Sequence, residues 1–435
     1  MDSNLYVLRR AHLARHMREG VAVIPTAPER TRNRDAHYPY RYDSYFYYLT
    51  GFREPDAVLV VVAGEESRSV LFCREKNEER EIWDGFRHGP EGARTAFGFD
   101  DAHPIGKLDE LMPELISNQP AVHCHLGADP AWDGRLMSWL NEVRARVRAG
   151  VSAPQTISDV HVVVDEMRLI KDSTEIALMR RAAEISSAAH RRAMHTARPG
   201  VAEHVIEAEL LHEFRRNGAQ APAYTPIVAS GAHACVLHYV ENNGVLKDGD
   251  LLLIDAGCEL DGYASDITRT FPVSGRFSGP QRDLYELVLA AQAAAIEHIK
   301  PGNRWIVPHE AAVKVLAQGF IDFGLLSGSL EQALETESYK KFYMHRTGHW
   351  LGLDVHDVGD YKTDGEWREL APGMLLTVEP GCYVRRADDV PQHYAGIGIR
   401  IEDDALVTED GCEIITSGAP KALSEIEALM RPGDD

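Results

Sequence analysis

Apolar residues along the chain fall into two kinds of run. Short unbroken runs, "AVLVVVA" (57–63), "SVLFC" (69–73), "LLLI" (251–254) and "MLLTV" (374–378), have the length of buried strands. Longer stretches with helical spacing alternate with them. One is "RLMSWLNEVRARVRAG" (135–150), which ends on Gly150. Between these first elements, "WDGFRHGPEGARTAFGFDD" (83–101) reads as a Gly-rich connection, and "VSAPQTISDVHVVVDEMRLIKDSTE" (151–175) as a linker. At its end Asp172 and Glu175 form the two halves of a capping box for the helix that follows.

Beyond residue 172 the pattern shows a faint internal echo. A helical stretch ends in "HTARPG" (195–200) and leads into "VAEHVIEAELLHEFRRNGA". The order recurs with "LYELVLAAQAAAIEHIKPG" (284–302) and "VPHEAAVKVLAQGFIDFGLL" (307–326), and strand-like segments follow each pair. Chance and a duplicated α/β unit explain this equally well. If the duplication is real, a site could lie between the halves. At 435 residues the chain exceeds what one core usually supports. The pattern divides it into an α/β domain over 1–168 and a second domain over 169–435.

Composition adds exclusions. The net charge of −21 disfavours nucleic acid and anionic membrane as partners. No window approaches the apolar length of a membrane span, and "MDSNLYVLRRAHLARHMREG" at the start lacks an apolar signal core and reads as a helix of the folded domain. Six scattered cysteines without a C-x-x-C pair suit buried thiols in a reducing compartment, hence a cytoplasmic protein.

Chemistry enters where polar residues interrupt the apolar strands. "DLLLIDAG" ends a strand on Asp255, "ASDITRTF" sets Asp266 inside the next, and a hairpin would join them. "GMLLTVEPG" ends on Glu379, which Pro380 holds extended. In "GIGIRIEDD" the period of two puts Arg400 and Glu402 on one face and Ile399 and Ile401 on the other. "HRTGHWLGLDVHD" supplies His345, His349 and His356. Each alone has an ordinary explanation. A strand-end Asp is most often a turn former, and His345 and His349 would share one helical face as structural histidines. As a set, four carboxylates and a histidine have only Arg400 as a nearby cation. A buried charge without compensation is costly. Metal ions resolve this, and four negative charges call for two divalent ions. An oxygen-rich donor set with one imidazole favours a hard ion such as Mn²⁺. Two ions about 3.5–4 Å apart can share a water and lower its pKa, which is hydrolase chemistry.

These blocks resemble the metal-site motifs of the pita-bread metallopeptidases, a family that includes methionine aminopeptidases, prolidases and Xaa-Pro aminopeptidases. "IDAGCELDGYASDITRTFPVSG", "HRTGHWLGLDVHDVG", "LTVEPGCYV" and "GIGIRIEDD" carry the likeness. In the first domain, "TRNRDAHYPYRYDSYFYYLTGFREPDAVLVV" and "EIWDGFRHGPEGA" are similar to the N-terminal domain of bacterial aminopeptidase P. The resemblance implies an α/β fold whose catalytic domain has two duplicated halves related by a pseudo-twofold. It implies the ligands Asp255, Asp266, His349, Glu379 and Glu402, with Asp266 and Glu402 shared by both metals. It implies that Glu379 takes a proton from the bridging hydroxide's parent water. His238 and His356 would face substrate near the scissile bond. His345, Tyr361 and Arg400 would line the proline pocket. The implied activity is metal-dependent hydrolysis of the N-terminal Xaa-Pro bond of peptides, in a dimer or tetramer. Trp83 would then reach a neighbouring subunit, with a core tryptophan as the alternative. Prolidase, acting on Xaa-Pro dipeptides, shares all five ligands. A binding module of the same fold would have lost them.

Overall fold

The structure is a computed structural model and describes residues 3–431. It divides between Met167 and Arg168 into two compact units.

The first unit is built on a six-stranded mixed sheet. The strands run Asp101–Pro104, Arg68–Cys73, Val58–Ala63, Gly20–Pro25, Ala121–His123 and Thr156–Ser158 across it. The three central strands pair antiparallel, and the outer ones join parallel. Val58–Ala63 is buried along its whole length, which is why it reads as continuously apolar. The helix Pro130–Ala145 covers one face with Leu136, Trp139, Leu140 and Val143. Asp129 caps its N-terminus.

Two expectations change here. The Gly-rich connection contains the helix Gly89–Phe97, closed by left-handed Gly98. The segment 151–175 is no mere linker. It contributes the edge strand Thr156–Ser158 and the helix His161–Leu169, whose Val164, Met167 and Leu169 are buried. Pro154 and Ser158 mark its boundaries locally, but the sheet edge supplies the pairing.

The second unit repeats one element order. The helices Ser173–Thr196 and Glu203–Arg216 precede the antiparallel strands Ile227–Ser230, Leu251–Asp255 and Thr268–Pro272. The helices Gly279–Glu297 and Ile306–Asp322 precede the antiparallel strands Leu375–Val378, Asp403–Val407 and Cys412–Ile414. The echo in the sequence is thus a repeat of helix pair and three-stranded sheet. Asp172 and Glu175 form the full capping box at the first helix. One apolar core joins both sets of strands and helices.

Candidate active site and metal centre

The carboxylates come from chain segments that leave their sheets. Leu251–Asp255 pairs on both sides, with Ile227–Ser230 and Thr268–Pro272, and its last residue, Asp255, projects beyond the apolar run. Asp266 is not inside a strand, as its sequence suggested. It lies between the short strand Tyr263–Ala264 and Thr268–Pro272. Its amide donates to the Asp404 carboxylate, 3.1 Å away, instead of to a ladder. The crossing is tight: a Cβ on Gly257 would sit 1.7 Å from the Ser265 carbonyl oxygen, so only glycine fits there. Glu402 likewise falls between strands. The chain leaves Ile397–Arg400, paired with Gly381–Val384, and enters Asp403–Val407, paired with Leu375–Val378. Arg400 and Glu402 still face the same cavity.

His349 lies in an irregular loop, so it shares no helical face with His345. Its amide donates to Thr377 Oγ1 at 3.1 Å, and Thr377 N donates back to the His349 carbonyl at 2.9 Å. A Cβ on the preceding Gly348 would stand 2.0 Å from the Thr377 carbonyl oxygen. This close approach fixes the loop against the strand. His349 Nδ1 lies 2.9 Å from the Trp350 carbonyl oxygen and donates to it, which leaves Nε2 as the lone-pair atom. Nε2 is 3.5 Å from Asp266 Oδ2 and 3.7 Å from Glu379 Oε1.

Asp266, His349 and Glu402 each offer a ligand atom within 4.8 Å of the others. Glu379 and Asp255 complete the rim of the same cavity, whose volume is about 900 Å³. His238, His345, His356, Tyr361 and Arg400 also line it. His356 stands edge-on to His349, with ring centroids 4.4 Å apart. His345 Nε2 is 2.8 Å from the Tyr383 hydroxyl. Arg400 donates to that hydroxyl at 3.0 Å, to Thr268 Oγ1 at 3.1 Å and to Asp255 Oδ2 at 2.6 Å. Tyr361 stacks parallel to Trp350 and accepts a 3.2 Å hydrogen bond from its amide.

The electrostatics show the strain of this gathering. Burial and the Asp255 charge push the Asp266 carboxyl well above the usual range. Burial, Asp266 and Asp255 do the same to Glu402. Glu379 is pushed up to about 8 by burial and by Glu402. Burial and the Arg400 charge lower His345 to about 3, so it stays neutral near pH 7. Burial and His349 also lower His356.

Two residues escaped sequence reasoning. The Tyr224 hydroxyl lies 2.6 Å from Asp255 Oδ1 and 2.5 Å from Asp266 Oδ1. A hydroxyl has one proton. The second contact therefore needs either a proton held by a carboxyl or a further positive charge. Asp404 is a further buried carboxylate, raised by burial and by Asp266, and its Oδ1 has no hydrogen-bond partner. Nothing local marks Tyr224. It is aimed by the pairing of Ala221–Pro222 with Cys258–Leu260. Asp404 lies in "EDD", directly after Glu402 and Asp403, and no local pattern sets it apart.

These features fit divalent metal. The donors are oxygen-rich with one imidazole, and buried carboxylates crowd together with, among the described residues, Arg400 alone as a paired cation. A second cluster, His125, Asp159 and His161, also brings ligand atoms within 4.8 Å, in the first unit. Its imidazoles stack 3.9 Å apart at 16°, so their lone pairs run parallel and do not converge.

The chain belongs to metallopeptidase family M24, whose model matches residues 177–409. The model for the aminopeptidase P N-terminal domain matches residues 6–123. The chain is 44% identical to the Xaa-Pro aminopeptidase of Escherichia coli (strain K12), over 97% of this chain and 96% of that protein. It is 45% identical to the Xaa-Pro aminopeptidase of Haemophilus influenzae, over 92% and 91% of the two chains. The solved Pseudomonas aeruginosa aminopeptidase superposes with a TM-score of 0.97 at 51% identity, covering 99% of this chain and 98% of that one. A zinc-substituted Escherichia coli aminopeptidase P in complex with product gives 0.96 at 43%, with 99% and 98% covered. The molecule is a metallo-exopeptidase with the two-domain fold of bacterial aminopeptidase P.

Proposed function

We propose that this enzyme removes the N-terminal residue from peptides that carry proline in second position. The observation that carries the proposal is the convergence of Asp255, Asp266, His349, Glu379 and Glu402 in one cavity with the neutral histidines His345 and His356 and the Tyr361 ring. The names of the bacterial relatives support it.

The five named residues would hold two divalent ions, with Mn²⁺ the expected metal. When bound, the ions would offset the −3 left by four carboxylates and Arg400, polarise the scissile carbonyl and lower the pKa of a shared water. The chain's own groups then divide the work. Arg400 holds Asp255 in one rotamer from 2.6 Å, and Thr268 donates to Glu402 Oε2 from 2.6 Å. Glu379 carries the proton from the water to the leaving nitrogen, acting as general base and then general acid. That nitrogen belongs to a tertiary amide and must be protonated before it leaves. His356 donates to the developing oxyanion. His238, which lines the same cavity, contacts substrate. His345, Tyr361 and Arg400 shape the space for the proline ring.

The test uses one metal-stripped preparation. After Mn²⁺ is added, release of the first residue is followed from an Xaa-Pro dipeptide and the matching Xaa-Pro-Yaa tripeptide. Preference for the tripeptide supports the proposal. Preference for the dipeptide makes the enzyme a prolidase. No hydrolysis of either, with metal bound, sinks the peptidase reading.

The domain roles belong to the same proposal: the first unit serves oligomerisation and site closure, and the second, catalysis. Trp83 supports the first role, because it is no core residue. It is 79% exposed, beside Ile82 at 81% and Phe86 at 67%, on a helix with no buried residue. A homodimer or homotetramer would cover it. Sedimentation of the full chain and of Trp83→Ala measures this directly. A cytoplasmic setting is supported by six unpaired cysteines. No helix among the described residues is long and apolar enough to cross a membrane. Cell fractionation tests the setting.

A further inference from the structure

The cavity is not uniformly acidic. Arg346 and Lys362 also line it, together with Trp367. Lys362 and Trp367 are directly opposed across the hairpin of Lys362–Thr363 and Glu366–Trp367. Lys362 Nζ lies 4.5 Å from the centroid of the Trp367 ring, and the Arg346 guanidinium lies 5.8 Å from it. One indole thus gathers both cations.

The hairpin is anchored. Asp364 and Gly365 make its two-residue turn with φ of 52° and 84°, the left-handed pair that favours Asp-Gly. At its base Tyr361 packs on Trp350 and Trp305, and Trp305 N donates to the Arg368 carbonyl. The carboxylates near this arm do not neutralise the two cations. Glu366 pairs with Arg304, and Asp360, though it lines the cavity, pairs with neither. Among the described residues no carboxylate lies within ion-pair distance of Arg346 or Lys362. On a chain with net charge −21, two unpaired cations around one indole inside a cavity are conspicuous.

We propose that Arg346, Lys362 and Trp367 form a subsite for a carboxylate carried by the substrate beyond proline. The inference rests on the aminopeptidase reading and deepens it. The carboxylates that line the cavity suit the free ammonium of the peptide. Arg346 and Lys362 line the same cavity and suit an anionic group farther along the peptide. A short peptide carries both charges. Trp367 adds an apolar face for the chain that carries the anion. The carboxylate has two possible sources, the C-terminus of a tripeptide or an acidic side chain after proline, and both meet the same chemistry.

Four peptides separate them: Ala-Pro-Ala as free acid and as C-terminal amide, and Ala-Pro-Glu and Ala-Pro-Gln, both as amides. The Mn²⁺-loaded full chain is compared with Arg346→Gln, Lys362→Gln and the double variant. The readout is the ratio of kcat/KM within each charged and neutral pair, so a general loss of activity cancels. The wild type should favour the charged member by about three- to tenfold, as expected for two exposed ion pairs. The double variant should bring the ratio close to one, and added salt should shrink the wild-type preference. The pair that shows the effect identifies the source. Trp367→Leu, which frees both cations from the indole, should give an intermediate ratio. Ratios near one in the wild type, or a preference that survives in the double variant, overturn the subsite. Failure of the wild type to cleave even the neutral peptides overturns the aminopeptidase reading and the subsite with it.

Discussion

Two groups of buried carboxylates lie next to each other in the second unit, and they titrate in opposite directions. Asp403 is fully buried, yet Arg269 at 2.7 Å and Lys421 at 2.6 Å outweigh its burial and hold it below the usual carboxylate range. Asp357 behaves the same way between Lys171 at 2.9 Å and Arg168 at 2.6 Å. Glu402, one residue before Asp403, is pushed far up by burial, Asp266 and Asp255. The fold therefore has the means to neutralise a buried acid and applies them around the cavity. Within the cavity it gathers acids and, among the described residues, pairs them with Arg400 alone. Burial is common to both groups. The missing countercharge separates a site from a strut, and at the proposed site the countercharge would be metal.

The strongest way to break this comparison is to exchange the two behaviours. Glu402→Gln should cut peptide hydrolysis by about a thousandfold or more, since metal assistance supplies several kcal/mol. Its metal content, read by elemental analysis, should fall. Its metal-free form should be no less stable than wild type in urea, because a repelled charge has been removed. Retained activity would remove Glu402 from the site.

Asp403→Asn should do the reverse. It leaves Arg269 buried without its partner, and stability should drop by about 3–5 kcal/mol in urea unfolding. Metal affinity of the folded fraction should change little by comparison. Equal stability of Glu402→Gln and Asp403→Asn would erase the distinction.

Tyr224→Phe sharpens the boundary between the groups. It removes the hydroxyl between Asp255 and Asp266 but leaves the ring. Mn²⁺ affinity should fall by about 10- to 100-fold, the usual effect of losing a group that orients ligands. An unchanged titration would make Tyr224 a packing residue only.

The smallest effect is in pH. The folded-state pKa of Asp357 is depressed, so its contribution is complete above the unfolded value of about 3.9 and is lost as pH falls through the folded one. The stability gap between wild type and Asp357→Asn should stay constant from pH 7 to about 4 and narrow below that. A gap that narrows on raising the pH would reverse the sign and refute the pairing.

Reading the sequence located most of this and misjudged some of it. The strand ends at Asp255 and Glu379 were visible because an apolar run stops on a charge. Asp266 was placed inside a strand because "ASDITRTF" carries no sign that the chain crosses over itself at Gly257 and Ser265. The helical reading of His345 and His349 failed because four-residue spacing also occurs in a loop. Residues 151–175 looked like a linker because Pro154 and its polar neighbours outweighed the amphipathic run that ends in Met167.

The sequence by itself determined the apolar strands and helices, the acidic balance and which residue types could hold metal, and it left the repeat of helix pairs open between chance and duplication. These depend on neighbours along the chain, where periodicity and capping act. Tertiary structure alone decided that Asp266 faces Glu402 across 136 positions, that Tyr224 reaches both Asp255 and Asp266, and that Asp403 is neutralised while Glu402 is not. Electrostatic compensation depends on distance in space and on exclusion of water. Both are set by strand pairing between residues far apart in the sequence, and no local pattern encodes them.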